Sequence, residues 1–178
     1  VDRMLGPNKA LKLAPTNIHE ILERVGTLLE AESKGRLNFE RDYDPSIPEF
    51  KGDKEQLIQA FLNIARNAME AAFENQGGHS SEESPTITFR TRTLRQFTIG
   101  NRRHKLVCRV DVIDNGPGIP PELVQNIFYP MISGRASGTG LGLSITQSII
   151  GQHRGLVECE SEPGRTDFII FLPLEDTP

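Results

Sequence analysis

The chain has 178 residues, 37% of them hydrophobic and 25% charged, and a net charge of −4, which suits one soluble domain that needs neither disulfides nor metal to fold. No apolar run approaches a membrane span, and Val1 to Lys12 lack the basic start and apolar stretch of a secretory signal. The acidic balance gives no general attraction to nucleic acid or an anionic membrane, so any anion site must be local.

Residues 1–15 are expected to be a linker and 16–178 a single domain. After Pro15, the apolar positions Ile18, Ile21, Leu22, Val25, Leu28 and Leu29 recur at helical spacing, with Asn17 and Glu20 as a capping pair. Leu37, Phe39, Arg41 and Tyr43 alternate as in a strand, and Asp44-Pro45-Ser46-Ile47-Pro48 breaks the pattern with turn chemistry. A second helix starts near Asp53, an N-cap candidate, and carries Leu57, Ile58, Phe61, Leu62, Ala65 and Ala68.

Asn75 to Pro85, rich in Gly, Ser and Glu, reads as a loop. Two long strands follow, one marked by Ile87, Phe89 and Thr91, the other by Leu106, Cys108, Val110 and Val112, with a turn around Gly100-Asn101 between them. Pro120 and Pro121 suit the start of a short helix, because early helical positions need no bonded N–H. Phe128 to Gly142 forms a Gly- and Ser-rich loop, Ser144 to His153 a helix, and Leu156 to Glu160 and Asp167 to Leu172 two last strands. This interleaving predicts a two-layer α/β sandwich with a mixed sheet and helices on one face. Cys108 and Cys159 have no metal-type spacing and read as two reduced thiols inside strands of a cytoplasmic protein.

Three segments carry chemistry. In Asp114-Asn115-Gly116-Pro117-Gly118-Ile119, a carboxylate at a strand end precedes two glycines that permit close approach of a ligand; alone, it could as readily be a capped turn. In Ser137-Gly138-Thr139-Gly140-Leu141-Gly142-Leu143-Ser144, alternating glycines run into a helix whose first N–H groups suit phosphate. No Lys-Ser or Lys-Thr follows them, so this is not a Walker loop. Asn63 and Asn67 lie one turn apart on the second helix, and amide oxygens can ligate Mg²⁺, although a lone pair of asparagines is more often solvent-facing.

Taken together, these segments resemble the GHKL superfamily and its ATP-binding Bergerat fold over almost the whole chain. Leu62 to Ala68 is similar to the family's Asn box, Asp114 to Ile119 to its first glycine box, Ile127-Phe128-Tyr129-Pro130 to its Phe box, and Gly138 to Gly142 to its second glycine box. The Phe box and the Gly-Thr-Gly-Leu-Gly-Leu run resemble sensor histidine kinases. Phe128 to Met131 with Ser133-Gly134-Arg135, and the opening Val1 to Pro7, are similar to the nitrogen-regulation branch, the NtrB-type kinases.

The resemblance implies an ATP- and Mg²⁺-dependent phosphotransferase. Asp114 would hold the adenine amino group and Thr166 would help through water. Gly116, Gly118 and Ile119 would line the nucleotide, and Asn67 and Asn63 would serve Mg²⁺ and phosphate. Ser133, Arg135, Gly138, Thr139, Gly140, Leu141, Gly142 and Leu143 would cover the triphosphate.

Hydrolytic relatives place a Glu four residues before the magnesium Asn; Asn63 stands there instead and is a poor base, which favours transfer over hydrolysis. Many kinases carry a Lys three residues after that Asn, whereas Glu70 stands here, leaving Arg66 and Arg135 as candidates for phosphate neutralisation. None of the four histidines resembles a phosphoacceptor. His19 begins a His-Glu pair without the following Pro and reads as an ordinary helix residue.

The acceptor is expected on a separate dimerisation domain that makes the full-length protein a homodimer. An NtrC-type response regulator and a PII-type signalling protein are the expected partners, with no nucleic acid and no membrane. The alternatives are an ATPase clamp of the chaperone or topoisomerase type and a nucleotide-sensing interaction module. Arg90, Arg92, Arg95, Arg102, Arg103, Lys105 and Arg109 make the central hairpin basic, either as a solvated face or as a docking surface.

Overall fold

The computed structural model describes residues 10–74, 83–124, 127 and 141–174. In chain order the elements are β1 (Ala14–Thr16), α1 (Ile18–Ser33), β2 (Asn38–Asp42), β3 (Phe50–Gly52), α2 (Lys54–Glu74), β4 (Thr86–Ile99), β5 (Arg102–Asp114), α3 (Pro121–Val124), α4 (Leu141–Gln152), β6 (Leu156–Glu162) and β7 (Arg165–Pro173). The main sheet runs β2-β4-β5-β7-β6, while β1 and β3 form a two-stranded antiparallel sheet of their own. In the main sheet only β2 and β4 are parallel, a pairing that needs a crossover, and α2 supplies it. The expected mixed sheet with helices on one face is therefore present. The first strand starts at Ala14, inside the stretch read as linker.

Alternation and helical periodicity meet in one core. Ile21, Leu22, Val25 and Leu29 of α1, Leu57, Phe61, Ile64 and Ala68 of α2, and Ile149 and Ile150 of α4 pack on Ile87, Phe89, Val110, Val112, Phe168 and Ile170 of the sheet. A fully buried Leu, Ile or Phe contributes about 1.5–3 kcal/mol, so this layer sets the orientation of α2 and α4. The opposite face of the sheet carries a smaller apolar patch, Val107, Ile169 and Phe171, on which Phe97 stacks at 4.7 Å from Phe171.

The helix starts follow local chemistry. Asn17 caps α1 by accepting the His19 N–H at 2.8 Å, and Glu20 pairs with Lys54 at 3.6 Å. Asp53 caps α2 through the Gln56 N–H at 3.2 Å. Its other oxygen accepts the Lys12 N–H at 2.9 Å, and its own N–H donates to His153 Nε2 at 3.0 Å. His153 Nδ1 lies 2.9 Å from the Ile149 carbonyl and must donate to it, so the imidazole is neutral and buried, tying the end of α4 to the start of α2.

Burial holds the His153 pKa below its ordinary value. Its contribution to stability is therefore present above about pH 6.5 and is lost as the pH falls, because protonated imidazole cannot accept the Asp53 N–H. Urea unfolding should show midpoints falling below that pH. His153→Ala should cost about 1–3 kcal/mol at neutral pH and flatten the decline. An undiminished acid slope in the variant would mean that other groups carry it; His19, also depressed by burial, adds in the same direction.

His19 is a packing residue. Its ring lies 4.5 Å from that of Tyr43 and its Nε2 is 2.8 Å from the Thr91 hydroxyl. Both cysteines are free; Cys108 is buried and Cys159 half-buried, and burial pushes each thiol up to about 12.

Candidate functional site

Asp114 ends β5, opposite Thr166 of β7 in the ladder, and both are 2% exposed. Asp114 Oδ1 accepts the Gly116 N–H at 2.9 Å, which turns the chain sharply out of the strand. Asn115 fastens the same turn to the approach to β4, accepting the Thr86 N–H at 3.0 Å and donating to the Ser84 carbonyl at 2.9 Å.

The two glycines are required by their neighbours. A Cβ on Gly116 would lie 2.6 Å from the Ala71 carbonyl oxygen of α2. Gly118 has φ +92°, and a Cβ there would lie 2.5 Å from the Glu162 carbonyl oxygen. The loop thus presses against α2 on one side and the β6–β7 turn on the other, where Gly164 donates to the Pro117 carbonyl at 3.3 Å.

Past the glycines, the Ile119 N–H donates to Ser161 Oγ at 2.7 Å, and Ser161 Oγ lies 2.8 Å from Thr166 Oγ1. Ser161 went unnoticed in the sequence. Its only signal is register: it faces Thr166 beside the short Pro163-Gly164 turn of the β6–β7 hairpin.

Asn63 and Asn67 are half-buried on α2, and Asn67 Nδ2 donates to the Asn63 backbone carbonyl at 2.8 Å. Asn63, Asn67 and Ala71 follow one another at one-turn spacing, and Ala71 touches Gly116. The contact with the Asp114 loop is made by Ala71, with Asn67 roughly 6 Å and Asn63 roughly 12 Å along the helix from it. Arg66 turns to α1 instead, where Glu32 receives its Nη2 at 2.6 Å and its Nε at 3.1 Å. A phosphate contact from Arg66 would require leaving this pair.

Leu143 is buried in the core. Leu141 and Gly142 open α4, which Thr146 joins to α2 through the Ala60 carbonyl at 3.1 Å. Ser133, Arg135, Gly138, Thr139 and Gly140, with Phe128, Tyr129 and Pro130, lie outside the described residues.

In the basic hairpin, Arg90 and Arg109 pair with Asp111 and Arg92 with Asp42. Arg95, Arg102, Arg103 and Lys105 are exposed at its far end. Among the described residues no group of three His, Cys, Asp or Glu could hold a metal by itself. No described helix is long and apolar enough to cross a membrane.

The arrangement offers a buried carboxylate, a hydroxyl pair and backbone at one end, and helix amides at the other. The profile of the histidine kinase-, DNA gyrase B- and HSP90-like ATPases matches residues 52–176. The sensory histidine kinase/phosphatase NtrB of Vibrio alginolyticus is 52% identical over 174 residues, covering 98% of this chain and 48% of the relative. NtrB of Salmonella typhimurium is 47% identical with the same coverage. The chain thus spans about half the length of these curated relatives.

Among solved structures, the catalytic domain of the histidine kinase ThkA superposes with a TM-score of 0.73 at 27% identity, over 92% of this chain and 97% of that one. ThkA in complex with the response regulator TrrA matches with a TM-score of 0.73 at 24% identity, over 98% of this chain and 46% of that one, and shows the fold.

Proposed function

This chain belongs to the family of histidine kinase-, DNA gyrase B- and HSP90-like ATPases, and from that premise we propose that it is the ATP-binding catalytic part of a sensor histidine kinase. It transfers the γ-phosphoryl group of ATP to a histidine on a dimerisation domain outside this chain, with residues 16–178 as the catalytic domain and 1–15 as its connection. What supports this reading is that Asp114 stands opposite Thr166 while its loop presses at Ala71 on α2, the helix that carries Asn63 and Asn67.

Asp114 accepts the adenine amino group, and the Thr166–Ser161 hydroxyl pair holds a water against the same base. The Asn67 amide nitrogen is committed to the helix, so its oxygen is the end of the side chain that ligates. An amide oxygen with no carboxylate cage suits Mg²⁺, which keeps waters and shares phosphate oxygens. When bound, the ion neutralises charge on the transferring phosphoryl group. Asn63, next to it, cannot take a proton from water, and this favours a histidine acceptor over hydrolysis.

By the likeness to NtrB, the full-length protein is a cytoplasmic homodimer that phosphorylates an NtrC-type response regulator and answers to a PII-type protein. Mixing this chain with the isolated phosphoacceptor domain and labelled ATP should label the acceptor histidine, while the chain alone hydrolyses little ATP. Nucleotide binding without transfer would leave the reading wrong, and brisk hydrolysis by the chain alone would point to an ATPase clamp.

A further inference from the structure

The sheet face opposite the helices carries a constellation that the nucleotide reading does not use. Asp111 of β5 and Asp167 of β7 alternate with the core residues Val110, Val112, Phe168 and Ile170, and are 0% and 2% exposed. Both carboxyl groups reach toward the same Arg90 Nη2, Asp111 Oδ2 at 3.1 Å and Asp167 Oδ2 at 3.9 Å, and two acids buried this close together favour one of them keeping a proton.

The arginines decide which. Asp111 Oδ1 accepts Arg109 Nε at 2.9 Å, and its Oδ2 accepts Arg109 Nη2 at 2.9 Å and Arg90 Nη2 at 3.1 Å. Asp167 has Arg90 and Arg165 no nearer than 3.9 Å, and its Oδ1 is buried without a hydrogen-bond partner. From β6, its ladder partner is Glu160, another acid, while Glu158 faces Ile169 one pair further along.

The guanidinium hydrogen bonds hold Asp111 as the carboxylate, and Asp167, buried without them, is the member that keeps a proton. Burial, followed by the nearness of Asp111 and that group's charge, pushes Asp167 up to about 8. For Asp111, burial alone would raise the pKa, but its polar and charged neighbours, Arg109 foremost, together outweigh it and the pKa is lowered.

The pair lies directly behind the adenine end of the site. Asp167 follows Thr166, and its ladder partner Ile113 precedes Asp114. Two anions in contact repel strongly where water is excluded, and the two strands that would have to part are those that hold Asp114 against Thr166. We propose that Asp167 is a proton switch for the nucleotide site: protonated, it locks β5 to β7 behind the adenine pair, and deprotonated it loosens that pair and weakens nucleotide binding. This rests on the nucleotide reading above.

The test is calorimetric ATP affinity from about pH 7 to about pH 9.5 for the wild type and Asp167→Asn, whose amide can donate to Asp111 but cannot titrate. Infrared spectra of the nucleotide-free proteins are recorded alongside. The wild type should lose affinity about tenfold over this range, in step with the loss of a protonated-carboxyl band, whereas the variant shows neither the band nor the loss. The wild type's urea stability should also decline as the pH rises from about 4 through about 8, since a raised folded pKa stabilises only while the proton stays, and the variant should not follow.

Absence of the band at neutral pH, an equal affinity loss in the variant, or constant wild-type affinity after the band has gone would each overturn the switch. Failure of both proteins to bind ATP at any pH would overturn the nucleotide reading and the switch with it, whereas loss of the band alone leaves the nucleotide reading standing.

Discussion

Asp114→Asn should weaken ATP binding by about 30- to 150-fold while leaving the fold intact, the equivalent of about 2–3 kcal/mol for a hydrogen bond to a buried charged group. The substitution separates the two jobs of this carboxylate. Its Oδ1 accepts the Gly116 N–H, and an asparagine oxygen can do the same. The other oxygen is proposed to accept the adenine amino group, and an amide nitrogen there would set donor against donor. Calorimetry with ATP, alongside a thermal melt, distinguishes the two. Unchanged affinity would remove Asp114 from the nucleotide site, and a large drop in melting temperature would mean that the side chain acts through the fold. Asn67→Ala should also weaken binding, and mainly when magnesium is present, since the proposed contact is to the ion and phosphate.

Gly116→Ala should destabilise the protein by about 3 kcal/mol or more, at the severe end of overpacking. The added methyl would meet backbone, the Ala71 carbonyl oxygen at 2.6 Å and carbonyl carbon at 2.7 Å, so neither side can rotate away. Relief requires shifting α2 from the loop, which separates the asparagine row from Asp114. Gly118→Ala adds a backbone penalty, because φ +92° is unfavourable for an L side chain, to its own clash with Glu162. Gly151→Ala is the control. It lies in α4 with nothing within 4 Å of a Cβ, and it should stabilise by about 0.5–1 kcal/mol through helix propensity. Urea midpoints that rank the three substitutions otherwise would contradict this account of the loop.

Much of the fold was legible in the sequence because its signals are local. Helical spacing from Ile18 to Leu29 and alternation from Leu106 to Val112 match α1 and β5. The strands β1 and β3 escaped notice, since three residues are too few to show a period. Their place depends on long-range ties such as Lys12 to Asp53 and the Thr16 hydroxyl to the Gly52 carbonyl at 3.1 Å. Asn17 was legible as a cap, but the expected partner Glu20 was drawn to Lys54 at the start of α2. The basic hairpin was visible as composition, yet three of its arginines neutralise Asp42 and Asp111, which pattern reading could not pair with them.

The sequence by itself determined the longer elements, the tight turn after Asp114 and the spacing of the two asparagines. Each depends on the chemistry of neighbouring residues, such as a glycine's freedom at positive φ or a side chain's place on a helix. The tertiary structure alone decided that Arg66 is held by Glu32, that Ser161 completes the hydroxyl pair with Thr166, and that the arginines hydrogen-bond Asp111 and leave Asp167 Oδ1 buried without a partner. These outcomes depend on burial and on which charges the fold brings within hydrogen-bonding distance. Two aspartates that look alike in sequence diverge because Asp111 receives the arginines' hydrogen bonds and Asp167 does not.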